Sequence, residues 1–521
     1  MTSHTRNAFI YATIVAMGGF LFGLDAALIA GTVDYLTKEF SLTAIQLGNV
    51  VSAPALGVLI ALPFAGFICN KFGRKKAITL VAILYLVSAA SSALAPSYEI
   101  LWAARFLGGL AFSSIALASM YIGEVAPPAW RGKLVSMTQI NIVIGLSGAY
   151  FVNYLINYWA GLDAQWVHSV GLDQYTWRWM LGSEIPFALL WFFLLVLIPE
   201  SPSWLMFRNR QGDAERTLQR ILPAEEIPYH MEEMRESLHK SSEQHTIGVQ
   251  IKEIFGRPMR LTFIIALTIA IAQQSTGINA VLFYAQTVFQ QLGGGADAAF
   301  TQALWVGLIS VVSTIIGLLL VDKIGRRPLI IGGMVWIIAS LGLCSYEFKQ
   351  ARYTLTEEAI TELKAIPNVE RLAPLTRVGY ESDIAFKNAV REALGREDAQ
   401  EHQGTLLQKS ITMNATLVLI GILSFISAFQ MTVGPVMWVL FSEIFPISVR
   451  GLAIPFFTII TSLTNYVVQQ FFPWQLENMG MSAIFLTYAA VVSVGLAILF
   501  FTLKETKGLS IEEIQEKLAF K

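Results

Sequence analysis

The sequence predicts an all-α membrane protein with twelve transmembrane helices arranged as two six-helix bundles. Hydrophobic residues make up 55% of the chain and charged residues 14%, and the mean hydropathy is +0.57. This composition is typical of integral membrane proteins. Twelve apolar runs reach the length of about 20 residues that crosses a bilayer, six on each side of a polar linker. They begin near residues 8, 47, 77, 101, 135, 179, 261, 301, 328, 411, 451 and 482.

An internal duplication supports the division into two bundles. The pattern E-x2-P-x3-R-G occurs at residues 124–132 and again at 443–451. A basic turn, NKFGRK at 70–75, is echoed by DKIGRR at 322–327, and each turn lies between two apolar runs. Parallel repeats of this kind build transporters whose substrate site lies between the halves near the bilayer midplane. The duplication therefore predicts a transport function.

The polar segments predict the domain organisation and the orientation. We expect a first bundle over 1–200, a linker with short helices over 201–260, a second bundle over 261–503 with an insertion at 346–410, and a tail over 504–521. Lys and Arg are concentrated in the turns near 71, 131 and 326, so the positive-inside rule places both termini in the cytoplasm. The predicted location is a cell membrane, either a bacterial inner membrane or a plasma membrane. The first run carries Asp25 and is too long for a signal peptide, so we expect no cleavage.

Three ionisable residues are predicted to lie at a similar depth in the first bundle. Asp25, Arg105 and Glu184 belong to the first, fourth and sixth runs, about 8 to 9 Å below the outer boundary for the first two. A charge facing lipid would cost about 2.5 to 3.5 kcal/mol, so these groups need partners. An arginine favours ionised Asp25 and protonation would release the pair, which predicts a proton-coupling site. The alternative is a static ion pair that holds the helices together.

Two long runs carry helix-breaking or amide-rich patterns. The seventh run contains Gln273, Gln274 and Asn279, and the tenth is interrupted at Gly434-Pro435 just before Trp438. Broken helices at membrane depth are tolerated where they line a cavity. Amides offer uncharged donors and acceptors for a polyhydroxylated neutral ligand, and the indole offers an apolar face. The alternative is that the amides only bond helix to helix.

The charged loops on the predicted cytoplasmic side have two interpretations. Basic residues beside a membrane are often only topology anchors. Here acidic residues recur at matching positions in both halves, which indicates ion pairs that close the inner side and open during transport. The residues of this predicted cytoplasmic gate are Arg74, Glu124, Arg131, Glu200, Asp322, Arg326, Glu443, Arg450 and Glu505.

Several classes of function are disfavoured. A net charge of −1 gives no footprint for nucleic acid. The cysteines, Cys69 and Cys344, both lie in apolar segments, which argues against a disulfide framework or a zinc site. The phosphate-binding pattern G-x4-G-K-[ST] is absent from the sequence, which argues against ATP-driven transport within this chain. We expect no enzymatic activity, no metal and no cofactor.

An ordered set of motifs resembles the sugar porter family of the major facilitator superfamily. The motifs are NKFGRK at 70–75, RFLGG at 105–109, PESP at 199–202, QQSTGIN at 273–279, GPVMW at 434–438 and EIFP at 443–446, and the match covers essentially all twelve runs. Proton-coupled members, such as the bacterial xylose/proton symporters, carry an acid where Asp25 stands and an arginine where Arg105 stands. The resemblance therefore implies the major facilitator fold, a proton site and sugar contacts at Gln139, Gln273, Gln274, Asn279 and Trp438. The sequence departs from the xylose symporter pattern at Phe283, Ser310, Thr461 and Ser462, so the resemblance does not identify which sugar is bound.

The resulting hypothesis is proton-coupled symport of a neutral monosaccharide or related polyol by alternating access. Its partners would be a small sugar, a proton and the lipid bilayer. A facilitative uniporter, which Asp25 disfavours, and a non-transporting sugar sensor are the alternatives.

The insertion 346–410 falls outside this resemblance. Its charges rule out burial in lipid. Apolar residues at Leu355, Ile360, Leu363, Ile384, Val390 and Leu394 predict a small helical cap on the outer mouth, which would tune sugar access or bind an unidentified outside partner.

Overall fold

The computed structural model describes residues 3–126, 130–241, 247–363, 366–395, 398–399, 402–509 and 511–518. Within these residues, eleven helices are long and apolar enough to cross a membrane. A twelfth segment, the sixth in chain order, is broken into two short helices and completes the predicted set. The fold is therefore that of an all-α membrane protein with two six-span halves.

The spans of the first half follow one another with short connections. Span 1 is Ser3–Leu28, span 2 Ala44–Phe72, span 3 Arg74–Ala93, span 4 Tyr98–Ala111 with Ser114–Val125, span 5 Arg131–Ala160, and span 6 Thr176–Gly182 with Ile185–Leu194. A 3-10 turn, Ile29–Gly31, and the helix Val33–Phe40 join spans 1 and 2, and the helix Gln165–Ser169 precedes span 6.

The second half repeats this arrangement. Span 7 is Arg260–Ser275 with Ile278–Phe283 and Ala285–Gln290, span 8 Gly295–Ile324, span 9 Arg326–Gln350, span 10 Ala415–Met431 with Val433–Ile444, span 11 Ile447–Asn478, and span 12 Gly480–Thr502. Most spans begin a few residues before the predicted start, because the helices continue past the apolar core into polar residues at the surface.

The packing of the spans within the first half is repeated within the second half. Spans 1 and 5, 2 and 4, and 3 and 6 pack together in the first half, and the equivalent spans 7 and 11, 8 and 10, and 9 and 12 do so in the second. The halves meet through two equivalent pairs, span 2 with span 11 and span 5 with span 8. A pseudo-two-fold relation of this kind leaves a space between the halves that both can line.

The tenth span breaks two residues earlier than the sequence predicts. The break is at Thr432, which has φ −128° and ψ −93°, whereas Gly434-Pro435 lies inside the following helix. A proline ring clashes with the carbonyl four residues before it, here that of Met431, and cannot donate to it. The helix therefore ends at Met431, and Pro435 occupies the first turn of the next helix. Span 7 breaks within its predicted motif, at Gly277.

One end of the molecule carries the linker, the basic turns and the tail helix, and is called the linker face below. The linker contains the helices Pro202–Phe207, Gln211–Ile221, Ile227–Ser241 and Ile247–Ile254 and a 3-10 turn, Arg257–Met259, and the tail contains the helix Ile511–Leu518. Short helices in the linker were predicted, and the described part of the linker contains them.

The opposite end is called the cap face. Span 9 continues to Gln350, so the inserted unit, called the cap below, comprises residues 351–414. It contains a strand pair, Arg352–Tyr353 with Ile411–Thr412, the helices Glu357–Glu362, Asp383–Leu394 and Gln403–Ser410, and a 3-10 segment, Val369–Leu375. Its own hydrophobic cluster includes the predicted residues Leu355, Leu363, Val390 and Leu394, with Ile360 packed against it. Ile384 is only half-buried and lies outside this cluster.

Candidate functional site

A buried ion pair joins spans 1 and 4 of the first half. Asp25 of span 1 is 3% exposed and Arg105 of span 4 is 1% exposed, and the guanidinium Nη1 of Arg105 donates to Asp25 Oδ1. Glu184, 2% exposed, lies at the break of span 6 within electrostatic range of both groups. Asp25 Oδ2 and Glu184 Oε1 accept no hydrogen bond within the described part of the chain. The structure thus brings together the three residues predicted from their similar depth.

Two carboxyls beside one guanidinium form an unbalanced charge set. A single arginine can neutralise one carboxylate, and a second buried carboxylate without a partner would carry a large desolvation cost. The set therefore has one carboxyl more than its single guanidinium can neutralise. Chemically, such a site can take up and release a proton while its arginine changes partners.

A chain of amides links span 7 to spans 10 and 11. Gln273 Nε2 donates to the carbonyl of Gly434 at 3.1 Å, and Gln274 Nε2 donates to Gln273 Oε1 at 3.0 Å. Asn279 Nδ2 donates to Gln274 Oε1 at 2.9 Å and to Asn465 Oδ1 at 2.8 Å. Three of the five predicted sugar contacts therefore form one network at the break of span 7.

The amide chain continues along span 11 through residues that the sequence analysis missed. Gln469 Nε2 donates to Asn465 Oδ1 at 2.6 Å, and the hydroxyl of Tyr284 donates to the carbonyl of Gln469 at 3.2 Å. Asn465 and Gln469 are four residues apart, so they share one face of a helix. This spacing in an apolar run was the signal that could have identified them.

The two remaining predicted sugar contacts, Trp438 and Gln139, lie outside this hydrogen-bonded chain. Trp438 is four residues after Gly434, hence on the same helix face, and is 43% exposed. Its ring meets Phe441 edge-on, with 6.1 Å between centroids. Gln139 of span 5 is half-buried, and among the described residues no hydrogen bond joins it to the amide chain. The structure thus joins three of the five predicted contacts and leaves these two without a hydrogen bond to them.

An ionic network braces the linker face of the first half. Arg74 donates from Nη2 to Glu124 Oε1 at 2.8 Å, and its backbone N–H donates to Glu200 Oε1 at 2.8 Å. The hydroxyl of Ser201 donates to Glu124. Spans 3 and 4 and the segment after span 6 are thereby tied together. The predicted gate residue Arg131 lies beside residues outside the described part, and its side chain is not described.

The second half contains an equivalent network. Arg326 donates from Nη2 to Glu443 Oε1 at 2.7 Å and from its backbone N–H to Glu505 Oε1 at 3.0 Å. Thr506 Oγ1 donates to Glu443 Oε2 at 2.6 Å, in the place of Ser201. Asp322, largely exposed, adds a contact to Arg326 at 3.1 Å.

Glycine is required in both basic turns. Gly73 has φ 99° and Gly325 has φ 103°, values that residues with a Cβ rarely adopt. A Cβ at either position would also collide with the carboxylate of Glu200 or Glu505. The glycine, the arginine and the carboxylate of each turn therefore form one structural unit.

These contacts bear on the predicted cytoplasmic gate. Each ion pair described at the linker face joins elements of the same half, so these pairs brace one half and do not bridge the two. Arg450 donates to the backbone carbonyl of Phe445 at 3.2 and 3.0 Å and thus has a carbonyl partner in place of the expected carboxylate. These networks hold each half rigid at the linker face.

The halves are hydrogen-bonded to each other at the cap face. Tyr150 donates to the carbonyl of Leu282 at 2.6 Å, and Asn157 Nδ2 donates to Asp297 Oδ1 at 3.0 Å. Ser52 Oγ donates to Gln470 Oε1 at 2.7 Å, and Gln290 donates to Asp34. The molecule is therefore closed at its cap face.

The sequence model of the family described as "Sugar (and other) transporter" matches residues 11–362 and 402–518, which is most of the chain. The chain belongs to this sugar transporter family. The gap in the match, residues 363–401, falls within the cap.

Similar proteins include two that are named as sugar-proton symporters. The transporter is 31% identical to the D-xylose-proton symporter of Escherichia coli K12 over 99% of this chain and 97% of that protein. It is 30% identical to the probable metabolite transport protein CsbC of Bacillus subtilis, over 99% of this chain and 96% of that protein. It is 28% identical to the arabinose-proton symporter of B. subtilis, also over 99% of this chain and 96% of that protein.

Solved structures confirm the fold. The inward open conformation of the xylose transporter XylE from E. coli superimposes with a TM-score of 0.74 at 28% identity, covering 98% of this chain and 100% of that one. XylE bound to 6-bromo-6-deoxy-D-glucose gives a TM-score of 0.68 at 28% identity, covering 99% and 100%. The prediction of a major facilitator fold is thus confirmed.

Proposed function

We propose that this protein is a proton-coupled symporter of a neutral monosaccharide or related polyol that works by alternating access. The observation that carries the proposal is the buried set of Asp25, Arg105 and Glu184, because a facilitative carrier has no need of a titratable carboxyl pair at this depth. The names of similar proteins, which include symporters of xylose and arabinose, support the same conclusion.

The proton would act in the first half and the sugar mostly in the second. Gln273, Gln274, Asn279 and Trp438 are assigned to the sugar, with Gln139 completing the site from the first half. The amides already bond to one another, so a sugar hydroxyl would exchange one amide contact for another at little net cost. That exchange suits a site that must bind and then release its ligand.

The linker face is assigned to the cytoplasm and the cap face to the outside. The basic turns at 70–75 and 322–327 support this orientation through the positive-inside rule. The structure then corresponds to an inward-facing state, closed outside. Moving to the outward-facing state requires the hydrogen bonds at the cap face, such as those of Tyr150 and Asn157, to open.

Uptake into proteoliposomes tests the proposal. Labelled D-xylose, L-arabinose, D-glucose and myo-inositol would be offered with and without an inwardly directed proton gradient. Accumulation above equilibrium only with the gradient is expected for at least one of them. Equilibration unaffected by the gradient would indicate a uniporter, and binding without any flux would indicate a sensor.

A further inference from the structure

A cavity lies at the cap face, between the two halves and the cap. Its volume is about 790 Å³, within the range of about 300 to 1,000 Å³ that ligand pockets occupy. The first half contributes the helix Val33–Phe40, including Asp34, and the second half contributes the ends of spans 7 and 11. From the cap come Lys387, Arg391 and Gln408.

This cavity is separate from the amide chain. On the unbroken span 11, Asn465 and Gln469 belong to the amide chain and Phe472 is the first residue that lines the cavity, so the cavity begins about 4.5 Å beyond Gln469 along the helix at 1.5 Å per residue. At this boundary, Tyr284 and Phe472 are both buried, with ring centroids 5.0 Å apart. These two rings form an aromatic floor that divides the cavity from the site below.

The charges around the cavity are balanced in number. Lys38, Lys387 and Arg391 line it together with Asp34 and Glu477. Lys387 Nζ lies 3.1 Å from Asp383 Oδ2, and Arg391 lies 3.6 Å from Glu477. A cavity with as many carboxylates as cations around it has no strong preference for an anion, so its ligand is expected to be neutral.

Uncharged polar side chains also line the cavity. Thr37 contributes from the first half and Thr287 from the second. Gln403 and Gln408 add amides from the cap. Hydroxyls and amides above an aromatic floor form a surface suited to a polyol.

We propose that this cavity is a second saccharide site, in which the sugar is held on the cap face before it reaches the amide chain. The inference rests on the proposed function, since the ligand is taken to be the transported sugar. Residues 363–401, which supply Lys387 and Arg391, lie outside the family match. This part of the cavity wall is therefore a feature of the present chain beyond the family pattern.

Protection of an engineered thiol tests the site directly. Both native cysteines are buried as free thiols, so a maleimide would report on Thr405→Cys, an exposed position on the cavity wall. The full chain in nanodiscs would be labelled with and without D-xylose, L-arabinose, D-glucose and myo-inositol. We expect at least one of these to slow labelling about fivefold. The matched control is Asn388→Cys, which is exposed on the cap outside the cavity and should label at an unchanged rate.

The same measurement in a Gln273→Ala/Asn279→Ala background separates the two sites. Protection that persists there supports the second site, whereas protection that disappears would show that it came from the amide chain, and the proposal would be overturned. Absence of protection by all four sugars in either background would also overturn it. Gradient-driven uptake without protection contradicts only the second site, and protection without gradient-driven uptake contradicts only the proposed symport.

Discussion

At the residue scale, the proposed proton coupling rests on the almost fully buried pair of Asp25 and Arg105. Removing one member of a buried pair usually costs about 3 to 5 kcal/mol because a charge is left without a partner. Glu184 lies within electrostatic range of Arg105 and would offer it a second partner, which would reduce this cost. Under the proposed function, protonation of Asp25 would therefore transfer the ionic contact of Arg105 to Glu184.

Asp25→Asn is expected to abolish concentrative uptake and leave sugar counterflow largely intact. The amide has the size of the acid but cannot ionise, so it resembles the permanently protonated state. Counterflow and gradient-driven uptake would be measured side by side in proteoliposomes. Undiminished accumulation by the variant would contradict the assignment of the proton to this residue.

Gln273→Ala and Asn279→Ala should each weaken sugar binding by about 1 to 3 kcal/mol, because a buried sugar hydroxyl would lose its partner. Calorimetry on the purified variants measures this change. Asn478→Ala is the matched control, since this amide is exposed at the end of span 11 and donates only to its own helix. Affinities within twofold of the parent would favour the alternative that the amides only join helices.

Residues of this site differed in how far the sequence could predict them. Asp25 and Arg105 were identifiable because a charge in an apolar run needs a partner, and their depths could be counted from the ends of the runs. Asn465 and Gln469 were missed because an amide in a membrane helix is compatible with many partners. Only the three-dimensional structure shows that they join Asn279 in one network of amides.

At the scale of elements, each basic turn is held by a carboxylate that caps the next helix. Glu505 accepts hydrogen bonds from the backbone N–H groups of Arg326, Arg327, Thr506 and Lys507. Burial would raise the pKa of Glu505, but these hydrogen bonds, from Lys507 first, outweigh it and lower the pKa. The carboxylate therefore stabilises the start of span 9 most when it is ionised.

Glu505→Gln is expected to lower the melting temperature in detergent at pH 7. The substitution should reduce the free energy of unfolding by much less than the contribution of a hydrogen bond to a charged group, which is about 1.5 to 3 kcal/mol. The reason is that the Glu505 side chain is partly exposed and screened by solvent. Because the pKa of Glu505 is lower in the folded protein than in the unfolded chain, its carboxylate stabilises the fold at pH values above the unfolded pKa of about 4.3. This stabilisation is lost as the pH falls through the pKa of the folded protein.

Melting curves of parent and variant should therefore converge as the pH is lowered from 7 to below 4. Glu516→Gln, at an exposed position of the tail helix, is the control and should change little. A pH-independent difference between parent and Glu505→Gln would show that the ionised form has no special role.

Element boundaries could be predicted only where a local rule dominates. The length of the apolar runs predicted all twelve spans, and Gly277 marked the break in span 7. The break in span 10 is at Thr432 because the steric effect of Pro435 acts on the preceding turn. The break of span 6 beside Glu184 was not predicted, because Gly182 and Ser183 are compatible with a continuous helix.

At the scale of the whole molecule, the position of the cap matters for movement of the two halves. Its polar contacts with the spans, as far as the structure describes them, are with the second half. Lys387 and Arg391 bond to Gln291 of the segment after span 7 and to Glu477 of span 11, both in the second half. The cap also has its own hydrophobic cluster. It can therefore move with the second half as a rigid attachment while the hydrogen bonds between the halves open and close.

Replacing Thr354–Ser410 with a short Gly/Ser turn should preserve proton-coupled uptake. Thr354 donates its backbone N–H to the carbonyl of Ser410 at 2.8 Å, so a short turn can close the gap and keep the strand pair Arg352–Tyr353 with Ile411–Thr412. The amide chain and the pair of Asp25 with Arg105 lie outside the replaced segment. The cap-face cavity, by contrast, loses the wall that the cap supplies.

We therefore expect the apparent KM for uptake from the cap face to rise several-fold, while the number of protons moved per sugar stays unchanged. Initial rates over a range of sugar concentrations, with the parallel proton flux, would measure both quantities. Calorimetric binding of sugar to the detergent-purified variant should match the parent, because the amide chain lies outside the replaced segment. A monodisperse, correctly inserted variant that no longer binds sugar would show that the cap contributes directly to the transport site.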